Sequence, residues 1–302
     1  MKFYDNVASA LSKRGMNLMV GDLYDQQAIW KQWYRGNVND FHYYNIVVNG
    51  KKKRVERKTL NAPKKFCEDI AKLLWTEKTQ INLDNEEATK KLWDILDSKK
   101  NSLTVNLPIF LEKGLALGGG ALVEYFDGDG DPVIDYVPAD SVIPFKYTNS
   151  YINGIVTLGR TLDEQDSKNK KYYTMLTIHK YEGGVYTREN ELYLSENETD
   201  LGKQIPLKTM YPNVKEKESI ETETPRFQYF KPNIANNLDV DSPMGISIFA
   251  NCLDIFKSID AKYDGFYNEF ILGKKRIMID ASVMKRTNKT RRKGQPYTCS
   301  IL

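Results

Sequence analysis

The chain predicts an α+β fold, with helices first, an antiparallel sheet in the middle and one long helix near the end. Three observations predict it. Apolar residues recur at three- and four-residue spacing up to about residue 114, the period changes to two from Ala121, and helical spacing returns after Ser242. No internal repeat and no low-complexity linker divides the 302 residues.

Taken in order, residues 4–35 read as helical, with bulky apolar and aromatic side chains between Tyr24 and Trp33. Residues 41–48, Asn49-Gly50 and a basic run to Lys58 read as a hairpin, because Asn-Gly favours a type I′ turn. Lys51-Lys52-Lys53-Arg54 is a nucleic-acid patch by composition. The plainer reading, an exposed return strand, is preferred. A helix follows from Pro63, marked by Phe66, Ile70, Leu73 and Leu74, and another is marked by Leu92, Trp93, Ile95 and Leu96. Residues 101–114 continue as a helix, which Gly118 to Gly120 end. Residues 121–126 and 133–137 read as strands around Asp127-Gly128-Asp129-Gly130-Asp131. A further pair, 172–181 and 185–194, is joined at Gly183-Gly184. Residues 160–171 and 211–225 are polar and charged, and are predicted to be loops.

The last helix is predicted to start at Ser242, a good N-cap, with Pro243 at the first helical position. Gly273 stands where a left-handed C-cap belongs, and a basic strand to Ile279 follows it. Phe249, Leu253, Phe256, Tyr263, Phe266 and Phe270 form an apolar seam of helical period, a candidate surface for packing side by side with copies of the chain. About thirty residues make a rod on the order of 45 Å. Lys274, Lys275 and Arg276 lie past the negative end of its dipole, where they balance the helix end, pair with a neighbour or attract DNA phosphates.

At 41% hydrophobic the chain can bury a real core. No run of eighteen apolar residues exists, so no transmembrane helix is expected, and the first residues lack a secretory apolar stretch. Cys67, Cys252 and Cys299 are odd in number and widely spaced, which fits a reducing cytosol. The net charge is +4, but residues 281–302 hold six cations and no acid, leaving −2 for residues 1–280. That tail is predicted to be disordered; it reads either as a nucleic-acid contact or, preferred, as a solvated or aberrant end.

Three constellations could carry chemistry. Asp127, Asp129 and Asp131 alternate as a calcium loop begins, yet Pro132 and Pro138 stand where an EF-hand needs Gly and Glu. Gly118-Gly119-Gly120 follows a helix and precedes a strand, the reverse of a phosphate cradle. His179 and Glu191 could build a general base, but no nucleophile accompanies them. His42 and His179, with no cysteine nearby, make no zinc site. No catalytic, cofactor-binding or metal-binding residue is therefore assigned. Nineteen tyrosines, within 12% aromatics, favour assembly surfaces over an enzyme.

Several segments, in order, resemble one family. They include Trp30-Lys31-Gln32-Trp33-Tyr34-Arg35-Gly36, Leu115-Ala116-Leu117-Gly118-Gly119-Gly120 and Tyr136-Val137-Pro138-Ala139-Asp140. Tyr173-Thr174-Met175-Leu176 with His179, Glu189-Asn190-Glu191-Leu192-Tyr193 and Phe227-Gln228-Tyr229-Phe230-Lys231-Pro232 continue the likeness. Pro243-Met244-Gly245-Ile246-Ser247-Ile248 and Glu269-Phe270-Ile271-Leu272-Gly273-Lys274-Lys275-Arg276 complete it. With these the chain is similar to the portal proteins of tailed bacteriophages, of the Listeria-phage, SPP1-like type.

The resemblance implies a structural virion subunit, made in the host bacterial cytoplasm, with no enzymatic activity and no cofactor. It implies a ring homo-oligomer, typically a dodecamer, at one capsid vertex. Double-stranded DNA would pass through it without sequence readout during packaging and ejection. Terminase, capsid and scaffold proteins and head-completion proteins would be its partners, and no membrane. Residues 1–240 would be the wing, 241–273 the first stem helix, and 274–302 the start of the clip and the basic tail. Family members run to roughly half again this length or more, so a return stem helix, channel loop and crown would be missing and poor ring closure is expected. Two rivals stay open: an interaction module presenting the long helix, and a metal-dependent nuclease using Asp127, Asp129 and Asp131.

Overall fold

A computed structural model describes residues 2–19, 21–48, 50–76, 78–149, 151–163, 170–272, 284–285 and 300–301. The first helical stretch is two helices, α1 (Lys2–Ser12) and α2 (Asp22–Tyr34), broken where Gly15 takes φ +77°. They bury Val7, Leu11, Trp30 and Trp33 almost completely. One turn, α3 (Asn39–His42), leads into a two-stranded ribbon, β1 (Tyr43–Val48) and β2 (Lys51–Glu56), paired antiparallel. Three helices follow: α4 (Ala62–Leu74), α5 (Glu86–Leu96) and α6 (Leu103–Leu117). The side chain of Asn85 caps α5, accepting from the N–H of Glu87 at 2.8 Å and of Ala88 at 3.1 Å. Gly118, at φ +84°, ends α6 in the left-handed conformation.

Two antiparallel sheets come next. In the smaller, β3 (Gly120–Phe126) lies between β4 (Pro132–Pro138) and the later β11 (Phe227–Phe230). The larger contains β5 (Val142–Thr148), β6 (Tyr151–Asp163), β7 (Lys171–Glu182), β8 (Val185–Ser195), β9 (Lys203–Ile205) and β10 (Lys217–Glu221). Its order is β10-β8-β7-β6-β5, with β9 paired to β8. Register gives its two faces different work. Ile155, paired with His179, packs toward the small sheet with Val142, Tyr186, Phe227 and Tyr229. Val156, paired with Ile178, turns the other way, and with Ile143, Leu176 and Tyr193 joins the helical core around Trp30 and Trp33. The larger sheet is thus the middle layer between helices and the small sheet.

The predicted loops need correction. Residues 160–163 continue β6, and Lys217–Glu221 is strand β10; residues 164–169 lie outside the described ones. β10 sits at the sheet edge, where charged residues suit solvent and obscure an apolar period. The tail predicted to be disordered holds one short ladder, Met284–Lys285 against Ser300–Ile301, and its other residues lie outside the described ones.

The last helix also starts later than expected. Helix α7 runs from Leu253 to Leu272 after a single tight turn at Ala250–Cys252. Its 20 residues span roughly 30 Å rather than 45 Å. Residues 243–249 form a buried strap without regular structure. The Ile248 N–H donates to the Leu115 carbonyl at 3.0 Å, and Gly245 lies so close to Gly118 that a Cβ would fall 2.5 Å from the Gly118 oxygen. Ser242 does receive the Met244 N–H at 3.3 Å, but as a local turn and not as a helix cap.

Candidate functional site

Helix α7 is rooted in the body by an apolar end and two buried carboxylates. Phe249 is fully buried and meets Phe256 edge to face, with ring centroids 6.0 Å apart. Phe256 and Leu253 pack, partly buried, on the helical core. One turn on, Asp260 accepts from the Thr59 hydroxyl at 2.8 Å and the Leu60 N–H at 3.0 Å, and its Oδ2 lies 3.2 Å from His42 Nε2. The Val38 N–H donates to His42 Nδ1 at 2.8 Å, so Nε2 carries the proton that reaches Asp260. Asp264 accepts from the Lys58 N–H at 3.0 Å and the Tyr44 hydroxyl at 3.2 Å. Burial first, and then the Asp264 carboxylate, raise the Tyr44 hydroxyl above its ordinary pKa. Asp260 and Asp264, four residues apart on one helix face, bind the foot of the β1–β2 ribbon to α7.

The predicted seam therefore divides. Phe249, Leu253 and Phe256 are committed to the chain's own core, and Tyr263 is half-buried. Phe266 and Phe270 are 60% and 63% exposed, with their rings stacked edge to face at 4.6 Å. Exposed Ile255 and half-buried Ile259 share their side of the helix, roughly 110° round from Asp260 at 100° per residue. Sequence reading missed the two carboxylates. The available signal was position: Asp260 falls between Phe256 and Tyr263 on the seam, where helical spacing asks for an apolar side chain. Lys274, Lys275 and Arg276 lie outside the described residues, as does the predicted Gly273 cap.

The other constellations resolve into structure. Asp127, Asp129 and Asp131 do converge, with ligand atoms within 4.8 Å of one another. The ammonium of Lys100 sits among them, bonded to Asp127, to Asp131 at 2.8 Å and to Asp129 at 3.3 Å. These bonds raise the Lys100 pKa, the one to Asp127 most, and the Asp127 bond lowers that carboxyl's own pKa. Asp127 Oδ1 also accepts the N–H groups of Asp129 and Asp131, so the loop is a self-closed turn with a built-in cation.

His179 and Glu191 are not brought together. His179 pairs with Arg188 and Glu191 with Leu176, which puts them on opposite faces of the sheet. His179 lies between the Tyr186 hydroxyl at 2.7 Å and the Thr157 hydroxyl at 3.3 Å, and burial drives its pKa down to about 3. Glu191 takes the Tyr193 hydroxyl at 2.9 Å and pairs with Arg14. Both are satisfied structural groups. Burial likewise pushes the free Cys67 thiol up to about 12, leaving an inert small hydrophobe.

No helix among the described residues is long and apolar enough to cross a membrane. No curated relative matches the chain. The family described as "Phage portal protein, SPP1 Gp6-like", which is structural and not enzymatic, matches residues 24–290, from the second helix through α7 and into the tail. That span takes in nearly every element described above, and the chain belongs to the phage portal protein family.

Proposed function

We propose that this chain is the subunit of a closed ring at one capsid vertex, through which duplex DNA is packaged and ejected and to which the tail connects. The match over residues 24–290 carries the reading. Residues 1–240 would serve as the wing and α7 as a stem helix. Lys274, Lys275 and Arg276 would lie at the start of a clip that meets terminase and head-completion proteins, or against DNA phosphates.

Helix α7 supports this reading physically. One side is fixed to its own wing, and the stripe of Ile255, Phe266 and Phe270 is left uncovered. Neighbouring copies in a head-to-tail ring would cover it, since each subunit then presents one surface to the next. Exposed aromatics of this kind are favoured at interfaces because they bury large area at little entropic cost.

The test is the solution mass of the purified chain, by light scattering after gel filtration across a range of concentrations. A species near twelve subunits would establish the ring, against the poor closure expected from the sequence. A mass of one subunit up to the solubility limit would agree with poor closure, and the reading then fails if a chain of full family length also stays monomeric.

A further inference from the structure

The β1–β2 ribbon is the most strongly basic element among the described residues. Between Tyr43 and Leu60 stand six cations and one carboxylate, Glu56. Lys51, Lys52, Lys53 and Arg54 are consecutive and all exposed. Several lysines elsewhere on the surface are neutralised by neighbours, among them Lys64 by Glu68 at 2.6 Å, Lys146 by Glu182 at 2.8 Å, and Lys217 by Glu189 at 2.6 Å. Among the described residues, no carboxylate pairs with any of the four ribbon cations. Within the described residues their charge is left unneutralised.

The geometry narrows what that is. Lys52, opposite Val47, and Arg54, opposite Asn45, share one face of the ribbon; Lys53, opposite Ile46, shares the other with Lys51. Arg54 rests over the Tyr43 ring at 4.4 Å, which holds its guanidinium out without neutralising it. Among the described residues neither ribbon strand pairs with another sheet, which leaves both outer edges unpaired there. A flat partner, such as an acidic protein surface or an anionic membrane, meets one face and leaves two cations unused. A groove lined with phosphates on both walls meets all four, and the major groove of duplex DNA is wide enough for a two-stranded ribbon. The foot of the ribbon is already fixed by the Lys58 and Leu60 N–H groups on Asp264 and Asp260, so little ordering is lost on binding.

We propose that the β1–β2 ribbon is a sequence-independent contact for duplex DNA, in which Lys51 and Lys53 meet phosphates on one side of the groove and Lys52 and Arg54 on the other. Naming duplex DNA as the polyanion rests on the portal reading; the charge and exposure do not. The contact is separate from anything made by residues 274–276, which follow α7 in the sequence.

The test is binding of a labelled random-sequence duplex to the full chain, followed against salt. Four variants are compared with the parent: Lys51→Ala/Lys53→Ala, Lys52→Ala/Arg54→Ala, all four together, and Arg291→Ala/Arg292→Ala/Lys293→Ala in the tail. Removing one cation that neutralises a phosphate flattens the slope of log affinity against log salt by about 0.9. The quadruple variant is expected to weaken low-salt binding by about tenfold or more, and each double variant to take about half of the slope change. A quadruple variant that binds like the parent overturns the proposal, as does loss confined to the tail variant. Loss confined to one double variant overturns the groove and favours a flat acidic partner. Stronger binding of the parent to phosphatidylserine vesicles than to the duplex overturns the choice of DNA. The four side chains are exposed, so the variants should keep the parent's solution mass. Failure of the parent to self-associate would count against the portal reading while leaving the duplex measurement to decide the ribbon.

Discussion

Asp260 shows how one side chain can join two elements. Its oxygens satisfy the Leu60 N–H, the Thr59 hydroxyl and the His42 ring, all in a site only 2% exposed. Asp260→Ala would strand those donors and is expected to cost about 3 kcal/mol in urea unfolding. Asp260→Asn keeps an oxygen for Leu60 and should cost less; an equal cost would argue that packing, not hydrogen bonding, holds the joint. Helical periodicity does not show this carboxylate as buried, because its partners come from the ribbon and not from its own helix. His179 was legible as a structural histidine, and it carries a pH prediction. Folded, it resists protonation down to about 3, while the unfolded chain takes the proton from about 6.5. The unfolded state then binds more protons in that window, so stability falls as pH drops from about 6.5, at up to about 1.4 kcal/mol per pH unit from this group. His179→Gln should flatten that acid limb of the unfolding free energy; an unchanged slope would assign the limb to other groups.

At the scale of elements, sequence and structure part where contacts are distant. Ser242-Pro243 is a sound local signal for a helix start, yet the strap 243–249 instead follows the end of α6 through Ile248 and Leu115. That bond cannot be read from either segment alone. Strand β6 escaped notice for a different reason: Ile155 and Val156 are both fully buried, one toward each layer, so strict alternation is lost. The hairpins 43–56 and 171–195 were legible because their turn residues and neighbours are local. The strap yields a sharp test at Gly118. Its φ of +84° favours glycine, and a Cβ there would lie 2.7 Å from the Ile246 carbonyl carbon and 2.8 Å from the Gly245 oxygen. Gly118→Ala should destabilise by more than about 2 kcal/mol, because neither backbone can yield. Gly183→Asn, at φ +60° in open space, should be nearly neutral in the same thermal melts. Comparable losses at both sites would remove the strap from the explanation.

For the molecule as a whole, the α+β order and the portal family could be read from the sequence, but the division of labour along α7 could not. A single apolar seam suggested one surface facing copies of the chain; the structure spends its first half on the chain's own core and leaves its second half outside. The distinction decides which substitution can test assembly. Phe256→Asp would put a charge against Phe249 and the helical core, and is expected to destabilise the fold by about 2–4 kcal/mol. Any loss of association in that variant would follow from unfolding. Phe266→Asp/Phe270→Asp alters two rings that are 60% and 63% exposed, so its thermal midpoint should stay near the parent's. If copies pack through this stripe, the double variant should nonetheless sediment as a smaller species than the parent at equal concentration. A variant that keeps both its melting point and the parent's mass would move the subunit contact off α7. The remaining exposed apolar side chains of α4, Phe66, Leu73 and Leu74, would then be the surface to change next.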